Sequence, residues 1–168
     1  MLKALRFRDY ALALLVLFVS LISPSGCRTK QTALKNLNPK EVKWAVHTST
    51  KLKYSITYPT VLRSEEEESG EVLFRHGWGV PVLVRYENEK EGRRRGVWFG
   101  HEPVGSIELG GRNGEKYIYE HWDGPFAART VSYVVEYRGK YLALEFRSDD
   151  ELSEIQKRML ESFTFLPE

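Results

Sequence analysis

Between Lys53 and Phe146, apolar side chains return at every second position in short runs broken by glycine, and this period limits what the chain can build. A period of two fits a strand with one face in a core; it does not fit the 3.6-residue turn of a helix. The best-defined pair is Thr130–Tyr137 and Lys140–Phe146, joined at Arg138-Gly139. Val131, Tyr133, Val135 and Tyr137 share one face of the first, and Leu142, Leu144 and Phe146 share one face of the second. A two-residue connection ending in glycine predicts a tight antiparallel hairpin. The same alternation runs through Tyr54, Ile56 and Tyr58, through Val72, Phe74 and His76, and through Val80, Val82, Val84 and Tyr86. It recurs more weakly over Val104–Leu109 and again at Tyr117, Tyr119 and His121. The cluster Gly110-Gly111-Arg112-Asn113-Gly114 reads as a hairpin turn. It is no phosphate loop, because it lacks the Lys-Ser/Thr ending and precedes a strand.

One segment has the other period. Leu152, Ile155, Met159 and Leu160 fall at i, i+3, i+7 and i+8, one stripe of a helix laid on a sheet. Ser148 and Glu151 form an S-x-x-E pattern that predicts the helix start there, with Asp149 and Asp150 near the positive end of the dipole. A last short strand, Ser162–Leu166, stops at Pro167. The expected fold class is α+β: an antiparallel β-sheet covered by at least one helix, in a single domain over residues 52–168. Cys27 is the one cysteine, so no internal disulfide supports this domain and its core must hold it.

The first 26 residues read differently. Lys3, Arg6 and Arg8 precede an apolar run, Tyr10–Ile22, whose 13 residues would make a helix of roughly 20 Å. That is short of a bilayer core of about 30 Å, and it fits the apolar region of an export signal. Ser25-Gly26-Cys27 then resembles the cleavage box of a bacterial lipoprotein. The resemblance implies cleavage before Cys27, a diacylglyceryl group on its thiol and acylation (palmitate or a similar chain) of its amine. More than one acyl chain gives stable membrane attachment without a protein span. Arg28 in place of Asp implies, in a host with two membranes, the outer one. Residues 27–51 are polar and read as a tether, with a short helical turn at Pro39–Trp44. Loss of residues 1–26 removes three of 25 basic residues and one of 23 acidic ones, leaving 22 of each. A neutral exported chain has no basic field for nucleic acid.

Two stretches carry a second resemblance. Tyr54-Ser-Ile-Thr-Tyr-Pro59 looks like the opening strand of the PsbP-like domains, a family of secreted or thylakoid-lumen α/β sandwiches. The close, a hairpin leading through Ser148–Glu161 into Ser162-Phe-Thr-Phe165, is similar to the family's ending. The likeness implies an antiparallel sheet covered by helix and a mainly non-catalytic role in binding or assembly, an analogy of fold.

Chemistry is sparse. Glu120-His121-Trp122-Asp123 places ligand types at alternate positions, but no second pair with metal-site spacing joins it, and no metal or cofactor is expected. No serine sits in a G-x-S-x-G turn. Glycine-flanked aromatics remain as the candidate binding surface: Trp78, Trp98, Phe99, His101 and Trp122. Such residues form partner surfaces or, more commonly, close the ends of a sheet core. The expected function is a membrane-held, non-catalytic binding or assembly module with an envelope protein as partner. The rivals are an extracytoplasmic hydrolase using carboxylates and His121 in a cleft, and a carrier of a small apolar ligand.

Overall fold

The computed structural model describes residues 32–87, 101–123, 126–148 and 151–167. A one-turn helix α1 (Thr32–Lys35) precedes strands β1 (Trp44–Ser49), β2 (Tyr54–Pro59), β3 (Arg63–Glu66), β4 (Val72–His76) and β5 (Gly79–Glu87). Strands β6 (Gly105–Leu109), β7 (Arg112–Asp123), β8 (Phe126–Tyr137) and β9 (Lys140–Arg147) follow, then helix α2 (Glu154–Glu161) and strand β10 (Thr164–Phe165). The strands form two antiparallel sheets, a small one in the order β1-β2-β10 and a large one in the order β3-β4-β5-β9-β8-β7-β6. The architecture is the α+β, antiparallel, helix-covered one expected from the sequence.

Turn chemistry sets the register of the large sheet. Arg138 and Gly139 link β8 to β9 at φ of 57° and 69°, and Gly110 and Gly111 link β6 to β7 at 58° and 79°. Positive φ at both central residues is what the twist of a two-residue hairpin requires. Paired this way, Val72, Phe74, Val82, Val84, Leu142, Leu144, Phe146, Val131, Tyr133 and Val135 share the inner face and are buried. The small sheet lays Tyr54 and Ile56 onto them, and α2 adds Ile155 and Met159. Rings join the two sheets: Tyr54 stacks on Phe163 at 5.0 Å, Phe163 meets Phe165 edge-on at 5.2 Å, and Phe165 lies 4.2 Å from Tyr137. Arg112 covers Tyr137 and Phe165 from outside, at 4.7 and 5.3 Å.

Three expectations are corrected. The helix starts at Glu154, not near Ser148. Ser148 extends the strand pairing by donating its N–H to Arg129, and its hydroxyl bonds the Glu151 carbonyl, so it cannot cap. Ser153 caps instead, in a reciprocal box with Gln156, although the apolar stripe through Ile155 and Met159 faces the core as expected. Next, Trp44–Ser49, inside the span expected to be tether, is a strand paired along its whole length with β2. The helical turn expected at Pro39–Trp44 is a hydrogen-bonded turn, Glu41 N–H to Asn38 O. Finally, Val80 leaves the row of Val82 and Val84. His76 pairs with Gly79 while Phe74 pairs with Val82, so β5 carries one extra residue, a bulge that re-aims Val80 toward the other face.

Of the glycines with described surroundings, Gly114 leaves the least room for a side chain. It lies between Ile107 of β6 and Val135 of β8, where a Cβ would sit 2.3 Å from the Val134 carbonyl oxygen and 2.5 Å from Val135 Cγ1. Backbone cannot yield as a flexible side chain can. Gly114→Ala is expected to lower unfolding free energy by about 1–3 kcal/mol in urea titrations, the usual cost of overpacking. A change below about 0.5 kcal/mol would show that β6 simply moves away.

Candidate functional site

The face of the large sheet turned away from the core carries a mixed lattice. Leu73, Leu83, Glu145, Ser132 and Tyr117 stand in register across five strands. Arg85, Ala143, Val134 and Glu115 form the row on one side, and Arg147, Thr130 and Tyr119 the row on the other. Polar groups on such a face are ordinarily solvated. Here Arg85 is only 7% exposed and Glu145 only 5%, and Thr130, Ser132, Tyr117 and Tyr119 are buried with them.

Arg85 and Glu145 face each other diagonally across β5 and β9. Arg85 is opposite Ala143, Glu145 is opposite Leu83, and Arg85 Nη2 donates to Glu145 Oε1 at 2.7 Å. The Tyr119 hydroxyl also hydrogen-bonds Glu145. Burial pushes the Glu145 carboxyl above its ordinary value, against the opposing pull of the Arg85 charge and of these hydrogen bonds. Burial, then the Glu145 charge, raises the Tyr119 phenol in turn. Tyr117, Tyr119, Val134 and Ala143, with Tyr141 against them, form a small apolar cluster on this face.

Beside the pair lies a cavity of about 330 Å³. Leu73, Val80 and Leu83 make its apolar wall; Arg85, Glu145, Arg147, Thr130 and Tyr119 make the polar one. The β5 bulge is what brings Val80 into that wall.

The structure distributes the sequence candidates. Trp78 is 91% exposed at the turn between β4 and β5, so it does not close the core, contrary to the commoner use of such residues. Its chain neighbour but one, Val80, lines the cavity. His101 is exposed, with its ring 5.6 Å from that of Tyr119, which also lines the cavity. Trp122 and His121 lie in β7 opposite Ala127 and Ala128. Trp98, Phe99 and Cys27 lie outside the described residues. No three His, Cys, Asp or Glu side chains converge as a metal site among the described residues. Nor is any described helix long and apolar enough to cross a membrane.

The sequence reading missed Arg85 and Glu145 because charges at alternate positions look like solvated outer positions, and it took Tyr119 only as part of an alternating strand. A signal was present: Val134-Val135 and Leu142-Ala143-Leu144 are unbroken apolar runs, the mark of strands covered on both faces. The reading also missed a polar cluster centred on Glu66. Ser49 donates to Glu66 Oε1 at 3.0 Å and His47 Nε2 lies 3.8 Å from Oε2. Burial lowers the His47 pKa despite that carboxylate.

Fold and site together define an α+β domain with two antiparallel sheets and a charged cavity on the outer face of the larger one. No protein-family model matches the chain, and no curated protein does. Among solved structures it is similar to a protein of Bacteroides thetaiotaomicron VPI-5482, at 9% identity and a TM-score of 0.49, over 76% of this chain and 49% of that one. The chain thus spans about half the length of that protein. It is also similar to the cyanobacterial PsbP (CyanoP) of Synechocystis sp. PCC 6803, at 12% identity and a TM-score of 0.46, over 74% of this chain and 93% of that one.

The raised Glu145 pKa fixes a sign. Between the ordinary value of 4.5 and the folded value, the native state holds more protons than the unfolded chain, so this group's contribution falls as pH rises through the folded pKa. Glu145→Gln does not titrate. The stability of the wild-type protein relative to this variant is therefore expected to decline as pH is raised from 4.5, measured by urea unfolding at a series of pH values. A relative increase over that range would mean that Arg85 outweighs burial.

Proposed function

We propose that this protein is a non-catalytic binding module, exported and held on a membrane by lipid on Cys27, whose ligand site is the outer-face cavity. The observation that carries the reading is the cavity's chemistry. Among the described lining residues, the one carboxylate is bridged to a guanidinium at 2.7 Å and hydrogen-bonded by a tyrosine. Groups fixed in this way suit recognition, which needs oriented and pre-paid polar contacts. General acid–base hydrolysis of the glycosidase type needs two carboxylates in distinct environments, and the described lining supplies one. A small-ligand carrier and a binding module become one reading here, with the cavity holding the ligand and an envelope protein as the partner served.

Membrane attachment rests on the Ser25-Gly26-Cys27 box and its preceding apolar run. We put the partner-facing surface at Trp78, because a large aromatic this exposed at a hairpin tip matches the type of residue that dominates interfaces. Fractionation of cells fed labelled palmitate tests the anchor. Wild-type protein is expected in the membrane fraction carrying label, and Cys27→Ala is expected to lose the label. Pull-down from detergent-solubilised membranes tests the partner: co-purifying protein is expected with the wild type and at least several-fold less with Trp78→Ala. Equal labelling of both forms, or no co-purifying protein with either, would overturn the corresponding half of the proposal.

A further inference from the structure

We propose that the outer edge of β1 pairs antiparallel with the same edge of a second copy of this chain, about a two-fold axis at Val46. The two three-stranded sheets then join into one continuous sheet. This goes beyond the ligand reading and depends neither on the cavity nor on Trp78.

The backbone carries it. In an antiparallel pair, residues that bond to the neighbouring strand alternate with residues whose N–H and C=O point away from it. The Thr60 N–H donates to the Lys43 carbonyl, and Trp44 stands opposite Pro59, which has no N–H to give. Continued through the register, that phase bonds Ala45, His47 and Ser49 to β2. It leaves Trp44, Val46 and Thr48 presenting their backbone groups on the other side. The far side of β2 agrees: the Lys53 carbonyl accepts from Leu166 and the Thr57 N–H donates to Ser162, so these two residues turn away from β1. Among the described residues, no strand pairs with the outer edge of β1.

That edge fits itself. With Val46 opposite Val46 and Trp44 opposite Thr48 of the second copy, every outward N–H and C=O of these three residues meets a partner, two bonds to each opposed pair. β1 holds no Asp, Glu, Lys or Arg, so no like charges face each other. The same register continued past the strand ends sets Glu41 of one copy against Lys51 of the other, opposite charges at both ends. The other sheet edges are defended. β3 carries Arg63, Glu65 and Glu66 in four residues, β6 exposes Glu108, and β10 is two residues long. Charge and shortness are what keep strand edges from pairing. β1 has neither: it runs for six residues in unbroken register with β2, and Val46 near its middle is 65% exposed. A two-fold contact uses this edge in both copies, so the assembly closes at two. A ladder about 20 Å long belongs to the small, reversible class of interfaces, and the test therefore captures it covalently.

The test is cross-linking of the full chain, with a short bismaleimide, in membranes of cells that express it. Val46→Cys is compared with Val104→Cys, an equally open position beside β6, and with the wild-type chain, whose Cys27 reports the background. Val46→Cys is expected to give covalent dimer in at least fivefold higher yield than either. Thr48→Pro in the Val46→Cys chain removes an outward N–H while sparing the bonds to β2, and proline is tolerated at such edge positions. It is expected to lower the yield at least fivefold, with circular dichroism of the purified protein checking the fold. A yield at Val46 no higher than at Val104 would overturn the proposal. An adduct between Val46→Cys and a different protein, in place of the dimer, would show that the edge takes another strand and would sink the second copy as occupant. Undiminished dimer in a folded Thr48→Pro chain would mean that the contact does not run through the backbone ladder, and the proposal fails there too. Should Thr48→Pro not fold, the comparison of Val46 with Val104 still decides.

Discussion

With a single cysteine in the chain, no internal cross-link can fasten the two sheets, and their union depends on one apolar seam. Phe74, Tyr133, Leu144 and Phe146 supply the large-sheet side; Tyr54, Ile56, Ile155 and Met159 supply the other. Each such side chain contributes about 1.5–3 kcal/mol when fully buried, so the seam outweighs any single polar contact in the molecule. Everything on the outer face depends on it. A sheet pinned from beneath keeps its register, and register is what sets Arg85 diagonal to Glu145 and aligns Tyr119 with Thr130.

The outer face then shows a different balance. A buried ion pair is weak evidence for stability, since an apolar pair of similar volume often serves as well or better. Arg85 and Glu145 gain attraction and a 2.7 Å hydrogen bond, and they incur the desolvation of two charges. What such a pair does supply is fixed orientation. Each group limits the rotamers of the other, and the Tyr119 hydroxyl limits Glu145 further. That is the arrangement a recognition site needs, with its polar groups immobilised before a ligand arrives. It fits the binding role proposed above better than a purely structural one.

Much of the fold was legible because the hairpins are local. Val131 to Tyr137, Leu142 to Phe146 and the two-residue turns at Arg138-Gly139 and Gly110-Gly111 specify pairing through neighbours in sequence. The stripe of Ile155 and Met159 was legible for the same reason. The start of the helix was not, since Ser148 and Ser153 each precede an acceptable partner, Glu151 and Gln156, by three residues, and strand pairing at Ser148 decides between them. Nor was the candidate site. Val80 enters it through a bulge, which alternation cannot reveal, and Arg85 meets Glu145 across 60 residues of chain. Trp78 was visible as a residue in a glycine turn, but only the tertiary structure shows how exposed it stands.

The small sheet closes by a route unlike that of the hairpins. Its middle strand, β2, receives β10 from the far end of the chain: the Ser55 and Thr164 hydroxyls meet at 2.8 Å across 109 residues, Thr57 N–H donates to Ser162 Oγ, and Leu166 N–H reaches the Lys53 carbonyl. Bringing such distant segments together carries an entropic cost that local hairpins avoid, so this clasp belongs to the late part of folding. Until Thr164 and Phe165 pair with it, that edge of β2 carries no strand, so the segment after α2 acts as the latch of the small sheet.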